Sequence, residues 1–285
     1  MNILVTGTTG FIGSHLIKKL TIEGHKVFLF DHSERCFQKV KIDAVIHLAA
    51  KAGIQPKLQN AIDHYNTNVV DTVNLLELCV KYSVKIFVFI SSSSIYGNQD
   101  DLPTDENANT DRPLCHYAAT KKAAEISCYP YHHTYGMNIA CLRLFTVYGP
   151  RQKTEMAIPL FVKSIYHDMP ITVFSNGYRD YVYIDDVITG IVCAVKNNKG
   201  YEVYNIGSGT KTSTLELIAL IEELTEKLAE VTYDESQLGY SKDTCADIGK
   251  ARQILGYAPK FTIHSGIKQY VEWYMGNMKN AIRKS

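Results

Sequence analysis

The sequence predicts an α/β protein built on a doubly wound parallel sheet, followed by a smaller mixed α/β region. Three observations predict it. Short apolar strands alternate with amphipathic helices through the first half of the chain. A run of spaced glycines falls at the first strand–helix junction, and an acidic residue, Asp31, ends the second strand.

The elements follow in order. Residues 3–6 form the first strand and 11–23 the first helix; strands at 26–30 and 43–48 come next. In the helix at 66–82, Val69, Val70, Val73, Leu76 and Val80 recur at helical spacing. A strand at 85–90, a long helix at 117–134 and a strand at 138–144 complete the first half. The strands are near-continuous apolar runs, the pattern of a parallel sheet covered on both faces. Pro130 falls inside the long helix, where a kink is the plain expectation. Beyond Gly149 the pattern loosens into helices at 156–167, 185–197, 214–228, 247–255 and 265–278, with strands at 171–174 and 202–205. We divide the chain into residues 1–150 and a mainly separate 151–285, with the chain crossing between them.

Composition narrows the function classes. Of 285 residues, 30 are basic and 29 acidic, giving a formal net charge of +1 with no block of like charge. That argues against a nucleic-acid or anionic-membrane footprint. No run of about 18 apolar residues suggests a membrane span. The N-terminal stretch reads as a strand entering a glycine loop rather than as a signal peptide. The seven cysteines show no CxxC spacing. Reduced core thiols in a cytoplasmic protein are expected, with no disulfide framework and no metal site.

The glycine loop is Gly7-Thr8-Thr9-Gly10-Phe11-Ile12-Gly13, a GxxGxxG spacing. Gly7 allows the sharp turn, Gly10 a close approach of main-chain N–H groups to a pyrophosphate, and Gly13 packing of helix on strand. The opening N–H groups of the helix, at Phe11 and Ile12, add a favourable dipole for the anion. This is the Rossmann arrangement, and it implies a dinucleotide. Asp31 lies 18 residues after Gly13, where a carboxylate accepts hydrogen bonds from ribose hydroxyls and repels a 2′-phosphate, so NAD is favoured over NADP. Arg35 argues the other way.

Tyr117 and Lys121 stand four apart at the start of the long helix and share a face. An ammonium beside a phenol favours the phenolate, which can take a proton from a sugar hydroxyl as hydride leaves the same carbon. General-base help of this kind is worth about 10²–10⁴-fold. A YxxxK string alone usually marks a solvated helix face. Here a serine cluster, Ser91 to Ser94, follows the 85–90 strand, at the strand end where open parallel sheets bind ligands.

Taken in order, GTTGFIG, HLAA at 47–50, SSSSIYG, YAATK, RLFTVYGP and RDYVYIDD resemble the NAD-dependent epimerase/dehydratase family of extended short-chain dehydrogenases, and within it the UDP-glucuronate 4-epimerases. The resemblance spans nearly the whole chain. It implies that Tyr117 is the base, that Lys121 holds the nicotinamide ribose, and that Ser92 is the catalytic hydroxyl. It places Leu48, Ala49 and Ala50 on the NAD side and Thr146 against the sugar. Thr172, Val173 and Phe174 would line the uracil, Arg179 the pyrophosphate, and 237–247 a later nucleotide-side loop.

Related dehydratases carry Asp-Glu after the catalytic hydroxyl, and related decarboxylases a glutamate. Ser93 and Ser94 stand there in this chain. This favours C4 epimerisation through a 4-keto sugar, and the two hydroxyls with Thr146 suit a C6 carboxylate. UDP-glucose and UDP-N-acetylglucosamine remain alternative substrates. A one-way reductase, a dehydratase and a non-catalytic NAD- or sugar-nucleotide-binding protein remain alternative functions. The family's dimer surface corresponds to the 66–82 and 117–134 helices, which implies a homodimer.

Some positions depart from the family. Only eleven residues separate Asp31 from Asp43, so the helix, third strand and acidic residue usual there are expected to be missing and the adenine side more open. Gln55 and Lys153 stand where arginine is usual, and Tyr240 where an aspartate is.

Overall fold

In the central strands, alternate residues face opposite sides, and both sides are buried. Ile3, Val5, Ala44, Ile46, Val88, Ile90, Ala140 and Leu142 belong to one apolar core. Leu4, Val45, Phe87, Phe89, Ile139 and Cys141 belong to a second core across the sheet. This two-sided burial is why the strands are apolar throughout. The computed structural model describes residues 1–30, 33–53, 60–174, 176–234 and 241–282.

The elements are β1 (Asn2–Thr6), α1 (Phe11–Ile22), β2 (Lys26–Leu29), α2 (Arg35–Lys39), β3 (Ala44–His47), α3 (Ala61–Tyr65), α4 (Asp71–Lys81), β4 (Ile86–Ser92), α5 (His116–Tyr135) and β5 (Asn138–Leu144). Then follow β6 (Thr146–Tyr148), α6 (Ala157–Tyr166), β7 (Ile171–Val173), β8 (Tyr178–Arg179), β9 (Tyr181–Tyr183), α7 (Ile184–Asn197), β10 (Tyr201–Ile206), β11 (Thr212–Ser213), α8 (Thr214–Thr225), β12 (Val231–Tyr233) and α9 (Ile263–Ile282). A π-helical segment, Asn66–Val70, joins α3 to α4, and a 3-10 turn, Ser93–Tyr96, follows β4.

Six strands form the main sheet in the order β10-β5-β4-β3-β1-β2, every pair parallel. The chain moves from β1 to one side for β2 and crosses to the other for β3. The crevice at the carboxyl ends of β1 and β3 is thus the switch point where such sheets bind ligands. Helices α4 and α5 cover one face through Leu75, Leu76, Cys79, Ala124 and Cys128. Helices α1 and α7 cover the other through Leu16, Leu20, Val187 and Ile191.

Several expectations shift. Between β2 and β3 a helix is present after all: α2 has five residues, and its Phe37 is buried and stacks on Tyr82 at 5.4 Å. Among the described residues no strand lies there, so β2 is the sheet edge. The 202–205 strand joins the main sheet as β10, beside β5. Pro130 sits within a helix that runs on to Tyr135. Strands β6, β8, β9, β11 and β12 are two or three residues long and pair far along the chain, with no local pattern to reveal them.

Candidate active site

The glycine loop is a cradle that side chains would fill. Gly7 has φ +67°, and a Cβ there would come within 2.8 Å of the Ala49 main-chain nitrogen. A Cβ on Gly13 would come within 2.3 Å of the Gly7 carbonyl oxygen. The loop is tied by Gly10 N–H donating to Gly7 O at 3.2 Å. Helix α1 has no side-chain cap and no acidic residue in its first turn, so the N–H groups of Phe11 and Ile12 suit an anion. Leu48, Ala49 and Ala50 are half-buried beside the loop. Asp31, the expected ribose ligand, lies outside the described residues, as do Gln55 and Tyr240.

A polar chain beneath the loop fixes its place. Thr72 Oγ1 donates to Asn68 O at 2.7 Å, so it accepts from His47 Nε2 at 2.9 Å. The other ring nitrogen of His47 then accepts from Thr6 Oγ1 at 2.8 Å, while Ala49 N–H donates to that hydroxyl at 2.9 Å. Asn68, 1% exposed, accepts from Lys51 N–H and donates to Lys51 O and to Thr120 Oγ1 on α5. Neither Asn68 nor His47 figures among the residues expected to act. The signal for Asn68 was a polar residue on the buried face of a helix.

Ser92 closes β4, and its hydroxyl lies 2.8 Å from Ser94 Oγ and accepts from Ser94 N–H at 3.2 Å. Ser92, Ser93 and Ser94 are half-buried, whereas the flanking Ser91 and Tyr96 are buried. Tyr117 stands in the first turn of α5. Burial pushes its phenol above the ordinary value, and a hydrogen-bonding interaction with the Ser92 hydroxyl pulls it back down.

Lys121 is one turn on and 2% exposed. Its ammonium donates to Ile90 O at 2.5 Å and lies 4.7 Å from the centre of the Phe89 ring. Burial pulls it down to about 8, against the opposing effect of Cys128, Cys141 and Glu125. The ammonium is turned to the main chain of β4, and the Ser92 hydroxyl lowers the Tyr117 phenol.

On the other side of the crevice, Thr146 opens β6, half-buried, and its N–H donates to Asp180 O at 3.0 Å. The fully buried Asp180 carboxylate accepts from Ser208 N and Oγ, Gly209 N and Ala246 N, at 2.7–3.0 Å. It thereby holds the main chain next to Arg179. Arg179 donates to Tyr178 O and to Lys242 O, and Lys242 N–H donates to Asn98 Oδ1 just past the serine loop. The described part of the late loop, 241–247, thus spans between Arg179 and that loop.

Thr172 and Val173 lie on β7, paired with β12. Val173 is 2% exposed and packs in the core, which leaves it only its main chain for a ligand; Phe174 is 38% exposed. Among the described residues no group of three or more His, Cys, Asp or Glu is placed to hold a metal, and no helix is long and apolar enough to cross a membrane.

The model of the NAD dependent epimerase/dehydratase family matches residues 3–207. A UDP-glucuronate 4-epimerase from Thermodesulfobacterium geofontis is 40% identical over 253 residues, covering 88% of this chain and 78% of the relative. The UDP-glucose 4-epimerase of Thermotoga maritima, solved with UDP-glucose, superposes with a TM-score of 0.92 at 30% identity, covering 98% of this chain and 100% of that one. The UDP-glucuronic acid 4-epimerase of Bacillus cereus, in complex with UDP-glucuronic acid and NAD, gives 0.89 at 33% identity, covering 97% and 100%.

Proposed function

As the chain belongs to the NAD dependent epimerase/dehydratase family, we propose that it inverts C4 of a UDP-sugar, with UDP-glucuronate converted to UDP-galacturonate as the leading case. The observation that carries this is the pairing of Ser92, at the carboxyl end of β4, with Tyr117, one turn before Lys121 on α5, at the same end of the sheet as the Gly7–Gly13 cradle. The cradle fits a dinucleotide pyrophosphate. Gly7, Gly10 and Gly13 give it room, and Phe11 and Ile12 offer their N–H groups. Leu48, Ala49 and Ala50 would form the wall, and Asp31 would take the ribose. NAD, when bound, supplies the hydride acceptor and the returning hydride.

The protein's own groups do the rest. Tyr117 takes the proton of the C4 hydroxyl, and Ser92 hydrogen-bonds the same oxygen and the phenol. Lys121 would hold the nicotinamide ribose. Ser93, Ser94 and Thr146 offer hydroxyls to the C6 carboxylate. Arg179 faces the pyrophosphate of the UDP-sugar, with the uracil against Thr172, the Val173 main chain and Phe174. No carboxyl group stands at 93 or 94 to assist elimination of water. UDP-glucose is the second candidate substrate, favoured by the close superposition on the Thermotoga enzyme.

On this reading residues 1–150 serve NAD and 151–285 mainly the UDP-sugar. The exposed Ile62, Tyr65 and Val70, with Ile126 and Tyr129 on α5, support a homodimer through these helices. Light scattering giving twice the chain mass at micromolar concentration is expected; a monomer contradicts it. No disulfide joins cysteines among the described residues, which supports a reducing compartment and hence the cytoplasm. Tyr117→Phe tests the chemistry. Turnover is expected to fall by about 10²–10⁴-fold with folding intact; retained activity would remove Tyr117 from the role of base.

A further inference from the structure

Glu125 and Arg143 are 2% and 4% exposed and form a two-pronged ion pair, Nη2 to Oε1 at 2.6 Å and Nε to Oε2 at 3.1 Å. Burying two charges costs much of what their attraction returns, and a well-packed apolar pair is often no less stable. Fold stability alone therefore does not account for charges at this place. Their other partners suggest what does.

Ser91 Oγ donates to Glu125 Oε2 at 2.9 Å, and Ser91 is the residue before Ser92. Arg143 Nη1 donates to the Tyr96 hydroxyl at 2.9 Å, and its guanidinium lies 4.9 Å from the Tyr96 ring centre. Tyr96 ends the 3-10 turn that carries Ser93 and Ser94. Its hydroxyl donates in turn to Asn205 Oδ1 at 2.7 Å. Ser91 and Asn205 both stand opposite Arg143 in the sheet register. Glu125 continues the face of α5 that holds Tyr117 and Lys121, one turn past the lysine. The pair thus fastens the helix of Tyr117 to both ends of the loop of Ser92.

We propose that Glu125 and Arg143 are positioning residues that set the Ser92 hydroxyl against the Tyr117 phenol, Glu125 through Ser91 and Arg143 through Tyr96. Neither touches the reacting atoms. Glu125 has a second influence, since its carboxylate helps Lys121 keep its proton against burial, together with Cys128 on α5 and Cys141 on β5. The account rests on the proposed reaction only where turnover is measured.

The test uses Ser91→Ala and Tyr96→Phe, which each delete one hydroxyl of the network, and the double variant Glu125→Leu/Arg143→Met, which replaces the pair by apolar side chains. Two readouts are taken. The first is the 13Cζ NMR signal of Tyr117, assigned by its loss in Tyr117→Phe, which needs no substrate. It is expected to shift in all three variants and to titrate at higher pH, because the pull of Ser92 weakens. The second is kcat against KM on the sugar the wild type converts. We expect kcat to fall about 10-fold in each single variant and about 100-fold in the double one. KM should stay within about 2-fold, and the double variant's melting temperature at or above that of the wild type. An unmoved Tyr117 signal together with wild-type kcat in the single variants would overturn the proposal, whether or not the double variant folds. A shifted Tyr117 signal in a protein whose wild type converts no UDP-sugar would leave the positioning role standing and remove the epimerase reading.

Discussion

Replacing Lys121 by methionine in the NAD-free protein is expected to stabilise the fold at neutral pH while it destroys function. Burial lowers the lysine from 10.5 to about 8, so its charged form is disfavoured in the fold relative to the neutral one. At about 1.4 kcal/mol per tenfold change in proton affinity, the penalty is about 3 kcal/mol. Methionine has similar bulk and no charge. It loses the hydrogen bond to Ile90 O, about 1 kcal/mol, so the net gain at pH 7 is about 2 kcal/mol.

The pH dependence gives the sharper test. Below about 8 the lysine is charged in both folded and unfolded chains, and the penalty is present in full. Between about 8 and 10.5 the unfolded chain binds more protons than the folded one, so wild-type stability rises with pH by this contribution. The methionine variant lacks that rise. Its advantage therefore shrinks across this window and reverses to about −1 kcal/mol above it. Urea unfolding of both proteins at pH 7 and at pH 10.5 measures the difference. A variant less stable at pH 7, by the same margin at both pH values, would refute burial of the charged lysine.

Three further outcomes are expected. Gly13→Ala places a Cβ against the Gly7 carbonyl, and should cost about 1–3 kcal/mol in unfolding experiments and weaken NAD binding measured by calorimetry. Asp180→Asn turns an amide toward main-chain donors that now meet a carboxylate oxygen. It should lower stability by about 2–4 kcal/mol and raise KM for the UDP-sugar through Arg179 more than it lowers kcat. With β2 at the sheet edge and no third strand beside it among the described residues, calorimetric titration should give an NAD affinity weaker than micromolar. A sub-micromolar value contradicts the open adenine side.

The sheet was legible because its strands are buried on both faces, so runs such as Phe87–Ile90 and Ile139–Leu142 stand out as unbroken apolar segments. Helix α5 was legible from its length, and its first turn from the Tyr117–Lys121 spacing. The short helix α2 was not, since five residues around one buried phenylalanine carry no amphipathic period. Ser92, Tyr117 and the glycines were visible because each lies at a strand end or helix start.

Glu125, Arg143, Asn68 and Asp180 were not visible, for a shared reason. A charged or amide residue is ordinarily expected at the surface. Their burial depends on partners such as Ser91, Tyr96, Thr120 and Ser208, which lie far away in sequence or on other elements. Two of them left a faint trace, Glu125 as the next residue at helical spacing beyond Lys121 and Asn68 as a polar residue on the buried face of a helix. The direction of the Lys121 ammonium was hidden too. Spacing places its Cα on the face of Tyr117, but the carbonyl it reaches belongs to β4.

The central claim is C4 epimerisation with the cofactor returned unchanged. The most direct measurement is NMR of the products after incubating the purified protein with NAD and UDP-glucuronate, and in parallel UDP-glucose and UDP-N-acetylglucosamine, while absorbance at 340 nm follows NADH. The account predicts UDP-galacturonate, the 4-epimer, with no net NADH. A decarboxylated or dehydrated product, stoichiometric NADH, or no conversion of any of the three sugars despite measurable NAD binding would contradict it.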